Sequence, residues 1–288
     1  MSIEEIVLEL GKDYRTVNRW IRKLGIKPRP NIKPLHLSKL VPYKWMEETK
    51  LDVINGKPVR LTSIYPTSDL SYLVGFAIGD GWIGNMMIEL CNTEFGLLNP
   101  LLFLMNCIRA RYGGKIGLQY REFKTGKNVA RKKAYSFRIW LSNSNLARLI
   151  KQENQLRYET LDFLMSTKPG HFLAGLWDAD GCVSYFIRER LCVEVKLTQS
   201  EDNLELLRRI AKSLNKFGIS TTCRLSDKKH DLHEFYGQFC PLNKNVYTLH
   251  ILKESVQDWV EIVGKKMLHP KKVEKINHLR GLLRMEYG

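Results

Sequence analysis

The sequence predicts a duplicated α+β fold in which each half contains one antiparallel sheet. The first observation behind this prediction is a repeated nonapeptide. LVGFAIGDG begins at Leu73 and LAGLWDADG begins at Leu173, so the two copies are 173 − 73 = 100 residues apart. The second observation is that the same order of helix-like and strand-like segments follows each copy. Each half therefore reads helix, two strands, helix, two strands, helix.

The elements after each nonapeptide correspond in type and in order. An apolar strand leads into a helix that ends near glycine, at Gly113 in the first half and at Gly218 in the second. A strand-like run follows each glycine, then a segment in which apolar and polar residues alternate as in a half-buried sheet, and then a short closing helix. The matching segments are 88–94 with 195–201, 97–105 with 204–210, 135–140 with 247–252, and 145–152 with 256–263.

The first 30 residues form a separate segment. Residues 3–10 and 14–24 have helical spacing on either side of a Gly-Lys-Asp break, a pattern that predicts a helix-turn-helix-like segment, with a plain helical hairpin as the alternative. Residues 31–68 are predicted to be a connector, which leaves 69–165 as the first repeat and 166–288 as the second. The candidate DNA contacts of the N-terminal segment are Arg15, Asn18, Arg19 and Arg22.

The composition favours a polyanionic partner. Lysine and arginine number 46 against 30 acidic residues, which gives a formal net charge of +16. Such a charge creates a long-range positive field, so nucleic acid is the expected partner, with a scattered basic surface and no such partner as the alternative. The sequence has neither a secretory signal pattern nor an uninterrupted apolar run of about 18 residues. We therefore expect an intracellular protein, in the cytoplasm or an organelle matrix, without membrane contact.

Each nonapeptide ends an apolar helix with an aspartate, Asp80 in the first copy and Asp180 in the second. The carboxyl end of a helix already carries partial negative charge, so a carboxylate there needs a compensating cation. Small residues four positions apart allow two helix backbones to approach closely. Both copies have them: Gly75 and Gly79 in the first, Gly175 and Ala179 in the second. Such packing brings the carboxylates together and predicts a site for Mg²⁺ or Mn²⁺ that is suited to phosphodiester hydrolysis.

The segments LVGFAIGDG and LAGLWDADG resemble the two signature motifs of single-chain LAGLIDADG homing endonucleases, and the resemblance extends over residues 69–288. It implies two αββαββα repeats in a pseudo-two-fold saddle whose sheets line the DNA major groove. It also implies that Asp80 and Asp180 are the catalytic metal ligands, with Gly79 and Ala179 beside them in the metal site. A monomer that cuts both DNA strands of a long target, leaving short 3′ overhangs, is the expected form.

The same resemblance suggests further active-site residues. Asn92 and Gln199 match the strand-end carboxamides of the family and are expected to order water around the scissile phosphates, with a strand-end or helix-cap role as the alternative. The family also has a basic residue near the carboxylates, and its position is not fixed by this sequence. Lys196 is the predicted catalytic candidate, with Lys115 and Arg224 as alternatives.

The second motif contains one further acid, Asp178, whose counterpart in the first motif is Ile78. A ligand that belongs to a two-fold metal site is expected in both motifs. We therefore predict a structural role for Asp178.

Basic hairpin tips and polar strand residues are predicted to contact DNA. The tips lie at 121–133 and 224–230, and their equivalent positions in two repeats favour contacts with two stretches of phosphate backbone. Polar side chains on an antiparallel sheet can read base edges in the major groove, although an ordinary solvated strand face has the same pattern. The candidates are Arg121, Lys124, Lys127, Arg131, Lys132, Lys133, Arg138, Arg188, Arg190, Lys196, Thr198, Arg224, Lys228, Lys229 and His250.

Three functions agree with these features. The first is a site-specific, Mg²⁺-dependent double-strand DNA endonuclease of intron homing. The second is an RNA maturase, with intron RNA as its partner, because proteins of the LAGLIDADG type also assist splicing. The third is a DNA-binding regulator without catalysis, and the presence of aspartate at both motif ends argues against it.

Overall fold

The computed structural model describes residues 66–287 with gaps at 126–131, 153–154, 188, 190 and 236–237, together with residues 53–54 and 57–58. The predicted helix-turn-helix segment and most of the predicted connector lie outside these described residues. Within the connector, β1 (Val53–Ile54) pairs with β2 (Lys57–Pro58) in an antiparallel ladder.

The first half has the predicted order of elements. Its elements are α1 (Ser68–Asp80), β3 (Gly81–Ile83), β4 (Met87–Asn92), α2 (Leu98–Tyr112), β5 (Lys115–Thr125), β6 (Lys132–Ser142) and α3 (Ser144–Ile150). A short linking region follows, with β7 (Lys151–Gln152), β8 (Gln155–Leu156) and α4 (Tyr158–Thr167).

The second half repeats the same order and adds to it. Its elements are α5 (Pro169–Asp180), β9 (Gly181–Ile187), β10 (Leu191–Ser200), α6 (Leu204–Asn215), β11 (Thr221–Asp227), β12 (Leu232–Phe235), β13 (Gln238–Pro241), β14 (Val246–Ile251), α7 (Val256–Ile262) and α8 (Pro270–Tyr287). The β12–β13 hairpin and α8 have no counterpart in the described part of the first half. Mixed helices and antiparallel sheets in two matching sets confirm the α+β fold class.

Local signals in the sequence account for several helix ends. The Thr67 side chain accepts a hydrogen bond from the backbone N–H of Leu70 at 3.2 Å and caps the start of α1. Pro169 occupies the first turn of α5, where a missing backbone N–H costs nothing. Helix α2 ends at Gly113, whose φ of 75° is a left-handed conformation that glycine adopts without strain.

Each half builds a four-stranded antiparallel sheet with equivalent strand order. The orders are β3-β4-β6-β5 and β9-β10-β14-β11, so the strand after each motif helix lies at one edge. In β4, Ile88 and Leu90 are fully buried and pair with Leu141 and Ile139 of β6. Because side chains alternate across a strand, the remaining residues of these strands present a polar face on the other side of the sheet.

The motif helices α1 and α5 pack against each other at the junction of the two halves. A Cβ atom added to Gly75 would lie 2.0 Å from the backbone oxygen of Phe172, and one added to Gly175 would lie 2.0 Å from that of Tyr72. The two backbones are therefore in direct contact at positions where only glycine fits. This geometry confirms the close helix packing that the small residues predicted.

The hydrophobic core extends from both sheets across the two central helices. Trp177, which stands where the family signature has isoleucine, is fully buried and lies with its ring centroid 5.6 Å from that of Trp259 on α7. Burial of two indole rings removes a large apolar area from water. Helix α5 therefore packs through its apolar face against α7 of the second half.

Two features of the second half were not predicted. The basic tip expected at 224–230 is in part strand β11, and the chain forms the β12–β13 hairpin before it returns in β14. The tail after α7 forms the 18-residue helix α8. Short alternating runs that contain many charged residues have the same sequence pattern in a solvated tip and in a small hairpin, so the pattern alone did not separate the two. Within the described residues, no helix combines the length and apolar character that a membrane span requires.

Candidate active site

Asp80 and Asp180 end the two packed motif helices side by side. A Cβ atom added to Gly79 would lie 2.5 Å from the Cβ of Ala179 and 2.7 Å from the Oδ2 of Asp180. The Asp180 carboxylate therefore lies against the residue that precedes Asp80. Both aspartates are half-buried, so their carboxylates are removed from bulk water without being sealed off.

Asn92, at the end of β4, orients the Asp80 carboxylate. Its Nδ2 donates a hydrogen bond to Asp80 Oδ2 at 2.6 Å, and its Oδ1 accepts one from the backbone N–H of Glu94 at 2.7 Å. Because the amide oxygen is already occupied, the NH₂ group is fixed towards the carboxylate. The structure thus brings the predicted carboxamide and the predicted acid together in the first half.

Gln199, on β10, has the equivalent contact in the second half. Its Nε2 donates to Asp180 Oδ2 at 2.5 Å, and its Oε1 accepts a hydrogen bond from Asn203 Nδ2 at 2.8 Å. Asn203 was not predicted from the sequence, since a polar residue after a strand end resembles an ordinary helix cap. It fixes the orientation of the Gln199 amide as the Glu94 backbone fixes that of Asn92.

The pKa values of both motif carboxyls are raised. Burial, and next the nearby charge of Asp180, raise the pKa of Asp80 to about 6 from 3.8, while Lys272 and the Asn92 hydrogen bond act in the opposite direction. Burial also raises the pKa of Asp180, against the lowering effects of Gln199 and Lys272. Two carboxylates that share a partly desolvated site repel each other, so their ionised forms need a nearby positive charge.

Lys272, near the start of α8, supplies part of that charge. Its Nζ donates to the backbone oxygens of Trp177 at 2.7 Å and Asp178 at 2.9 Å, and lies 3.5 Å from that of Ala179. Burial lowers the pKa of this amine, and the charges of Asp178, Asp80 and Asp180 act against that lowering. The cation expected from the helix-dipole argument was a divalent metal, and nothing in the sequence indicated that Lys272 lies at this helix end.

Asp178 lies in the interior and joins three parts of the chain. It has no exposed surface and accepts hydrogen bonds from the Tyr72 hydroxyl of α1 and from the backbone N–H groups of Leu268 at 2.5 Å and His269 at 3.1 Å. Burial raises the pKa of Asp178, against these hydrogen bonds. This placement agrees with the structural role predicted for it.

Four of the predicted DNA-contacting residues share one face of the second sheet. Lys196 pairs with His250 across β10 and β14, and Thr198 and Arg224 both pair with Thr248. Lys196 Nζ lies 3.1 Å from Glu194 Oε2, so it forms an ion pair on this polar face. Gln199 lies on the buried side of β10. The assignment of Lys196 as a catalytic residue stays a prediction.

The first sheet has an equivalent polar face. Arg138 forms an ion pair with Glu89 and lies over the Trp140 ring, with 5.7 Å between the guanidinium carbon and the ring centroid. Arg121 Nε donates to Gln119 Oε1 at 3.3 Å, and Gln119 pairs directly with Arg138 across β5 and β6. Arg138 is thus held beside Glu89 and Trp140, whereas Arg121 is exposed.

The remaining candidates fall into three groups. Lys115 lies at the far end of the first sheet from Asn92, since it pairs with Ser142 opposite Met87. Lys228 and Lys229 are exposed in the turn after β11, where their backbone N–H groups donate to Asp231 and Asn245. The candidates that lie outside the described residues are Arg15, Asn18, Arg19, Arg22, Lys127, Arg131, Arg188 and Arg190, and the same holds for the side chains of Lys124, Lys132 and Lys133.

The donor set at the helix ends suits a hard divalent cation. Among the described residues, no group of three or more His, Cys, Asp or Glu side chains forms a metal site by itself. Mg²⁺ commonly binds through one or two carboxylates and completes its shell with water and substrate phosphate. Asp80 and Asp180, which repel each other, fit that requirement, and the backbone oxygens of Gly79 and Ala179 are adjacent to them.

Removal of one carboxylate is expected to stabilise the metal-free protein at high pH. The pKa of Asp80 is about 6 in the folded protein against an ordinary 3.8, so ionisation destabilises the folded state progressively as the pH rises through this interval. We expect Asp80→Asn to raise the free energy of unfolding by about 1–2 kcal/mol at a pH of about 8, and by about zero at a pH of about 4.

Urea unfolding in EDTA at the two pH values measures this difference, and excess Mg²⁺ should remove the advantage of the variant at the higher pH. An equal change at both pH values would contradict the assignment of an elevated pKa to Asp80.

Two repeats of one αββαββα order meet at their central helices, and each central helix ends with an aspartate at the junction. Residues 168–264 match the family model of the LAGLIDADG-like domain. The resemblance recognised in the signature segments is thereby confirmed for the second repeat. Helix α8, which carries Lys272, lies beyond the matched residues.

Similar proteins were found in two further comparisons. The tRNA-splicing ligase RtcB of Pyrococcus abyssi is 32% identical over 171 residues, which cover 53% of this chain and 18% of that protein. The chain thus spans less than a fifth of the length of this relative. Among solved structures, I-DmoI in complex with DNA and Mn is 19% identical with a TM-score of 0.40, covering 68% of this chain and 96% of that one. The homing endonuclease I-WcaI bound to its DNA recognition sequence is 13% identical with a TM-score of 0.48, covering 72% and 84%.

Proposed function

We propose that this protein is a site-specific double-strand DNA endonuclease that hydrolyses phosphodiester bonds with a divalent metal ion, Mg²⁺ or Mn²⁺. The observation that carries the proposal is the junction of the motif helices, where Asp80 and Asp180 lie side by side with raised pKa values. The LAGLIDADG-like domain of the second repeat and the net charge of +16 support the same function.

The carboxylates of Asp80 and Asp180 would hold the metal, together with the backbone oxygens of Gly79 and Ala179. When bound, a divalent ion at this place activates water and neutralises charge on the reacting phosphate. Asn92 and Gln199 each donate a hydrogen bond to one carboxylate and so fix its orientation. Preorganised ligands matter because small displacements of a catalytic group lower the rate strongly.

The polar faces of the two sheets would bind the duplex. Each face presents basic side chains beside polar ones, such as Arg121 on the first sheet and Lys196 with Arg224 on the second. Contacts of this kind with phosphates position the duplex, and contacts with base edges specify its sequence. A duplex held by both sheets would cross the junction where the two carboxylates lie. A monomer with intracellular location is part of this proposal, as are a long target site and short 3′ overhangs.

A selection from random DNA tests the function and identifies the target sequence in the same experiment. Duplexes that bind the protein are first enriched from a randomised library in EDTA and are then incubated with Mg²⁺ or Mn²⁺. We expect a subset to be cut on both strands only when the metal is present, and sequencing of the ends gives the target and the overhang. If the enriched duplexes bind tightly but stay intact with both metals, the proposed endonuclease function would be contradicted, and a DNA-binding protein without catalysis would be favoured.

A further inference from the structure

Lys272 directs its ammonium group to the end of helix α5. A lysine ammonium has three donors, and the Nζ of Lys272 lies 2.7, 2.9 and 3.5 Å from the backbone oxygens of Trp177, Asp178 and Ala179. The two shorter contacts are hydrogen bonds to the end of α5, and the third is long. These contacts indicate that Lys272 positions the end of this helix.

Two of the three carbonyl groups near the Lys272 ammonium are ones that the helix end leaves without a helical partner. The backbone N–H of Gly181 donates to the Trp177 oxygen, and after it the chain leaves α5 for strand β9. The oxygens of Asp178 and Ala179 thus lack helical partners and point along the negative end of the helix dipole. The half-buried ammonium of Lys272 donates to the Asp178 oxygen, lies 3.5 Å from the Ala179 oxygen and offsets the negative end of the helix dipole beside Asp180.

Contacts on both sides hold the start of α8 in place. Asp178 accepts hydrogen bonds from the backbone N–H groups of Leu268 and His269, immediately before the helix. Farther along, Lys275 Nζ lies 3.4 Å from the backbone oxygen of Val183, and the Tyr185 hydroxyl contacts His278 Nδ1 at 2.6 Å. Helix α8 therefore packs along the edge strand β9, which follows the second motif helix.

The first motif helix ends differently. Within the described part of the chain, no lysine or arginine side chain is found on the backbone oxygens of Ile78 or Gly79, which correspond to Asp178 and Ala179. The two motif helices are alike in sequence layout, yet among the described residues a lysine donates hydrogen bonds to the end of the second helix and not to that of the first. The pseudo-two-fold symmetry of the site is broken at this point.

We propose that Lys272 is a positioning residue for the Asp180 half of the site, because its hydrogen bonds, as far as the structure describes the chain, reach only the end of α5. Its charge acts on both carboxylates. This inference rests on the proposed endonuclease function. In a site built from two related repeats, each carboxylate faces one strand of a duplex that lies across the junction, because the strands are related by the same two-fold operation. Loss of Lys272 should therefore impair cleavage of one strand more than that of the other.

Strand-specific cleavage rates test the asymmetry. A selected target duplex that carries a different end label on each strand is incubated with wild-type protein, Lys272→Met and Lys271→Met. Lys271 is the matched control, because it is the adjacent lysine, has the same charge, and forms an exposed ion pair with Glu94 at 2.7 Å. We expect Lys272→Met to slow one strand by about 10- to 100-fold and the other by about threefold or less, so that nicked duplex accumulates.

Lys271→Met should cut both strands within about threefold of the wild-type rate. The inference would be overturned if Lys272→Met slowed the cleavage of both strands equally, or slowed the cleavage of neither strand. Lys272→Gln, which keeps amide donors without the charge, should give a smaller difference between the strands than Lys272→Met.

Hydrogen exchange tests the same contact without any cleavage. We expect Lys272→Met to speed amide exchange by about tenfold in the peptide 176–183, while exchange in the equivalent peptide 76–83 is unchanged. If wild-type protein binds DNA without cutting it and exchange still changes in this way, the proposed function fails and the positioning role stands. If DNA is cut and the exchange of both peptides is unchanged, the positioning role is wrong and the proposed function stands.

Discussion

Asp80→Asn and Asp180→Asn are each expected to reduce the rate of double-strand DNA cleavage by about a thousandfold or more. Asparagine has nearly the same shape and still accepts the hydrogen bond from Asn92 or Gln199, so local packing is kept. What it loses is the negative charge that a divalent cation needs. DNA affinity in EDTA should stay within about threefold of wild type, because the sheet faces that bind the duplex are not altered.

The matched control for this pair is Asp69→Asn. Asp69 lies in the first turn of the same helix, at the opposite end from Asp80, and forms an ion pair with Arg111 at 3.2 Å. Cleavage by Asp69→Asn should stay within about threefold of wild type. Quench-flow or gel assays on the selected target measure all three variants. Cleavage that persists in both motif variants would show that the carboxylate pair is not the metal site.

Gly175→Ala is expected to lower the free energy of unfolding by about 3 kcal/mol or more. A methyl group on Gly175 would lie 2.0 Å from the backbone oxygen of Tyr72, and the neighbouring atom is part of a helix backbone that cannot rotate away. The two motif helices must separate to make room. Because Asp80 and Asp180 end these helices, cleavage should fall together with stability.

Gly281→Ala provides the control for the backbone effect of alanine in a helix. Gly281 lies inside α8, and a Cβ atom there would meet nothing within 4 Å, so we expect this substitution to stabilise the protein by about 0.5–1 kcal/mol. Urea denaturation gives both values. A Gly175→Ala protein as stable as wild type would mean that the helices pack less closely than the structure indicates.

The repeated parts of the fold were predictable from the sequence because each physical signal appears twice. Glycines four residues apart, a terminal aspartate and an alternating strand recur at matching positions, and the structure has these elements in the predicted order. Asn92 and Gln199 were expected near the site from the family resemblance, as groups that order water, and the structure places each of them on one of the two carboxylates. The assignment of the motif carboxylates as metal ligands remains part of the proposed function.

Features that occur only once were not predictable. Lys272 reaches the end of α5 because several contacts place α8, among them those of Asp178 with the chain before it. A single sequence with many lysines does not show which one returns to the site. Asn203 resembles a common helix cap until its contact with Gln199 is known. The β12–β13 hairpin interrupts the second repeat at a place where the first repeat gives no guide.

The position of Mn²⁺ in crystals of the protein bound to its selected DNA target tests the central claim most directly. Anomalous scattering locates this ion independently of the protein phases. We predict a peak within about 2.5 Å of carboxylate oxygens of both Asp80 and Asp180 and beside a backbone phosphate of the duplex. Manganese found only at other positions, with both carboxylates free of metal and remote from the DNA, would contradict the account.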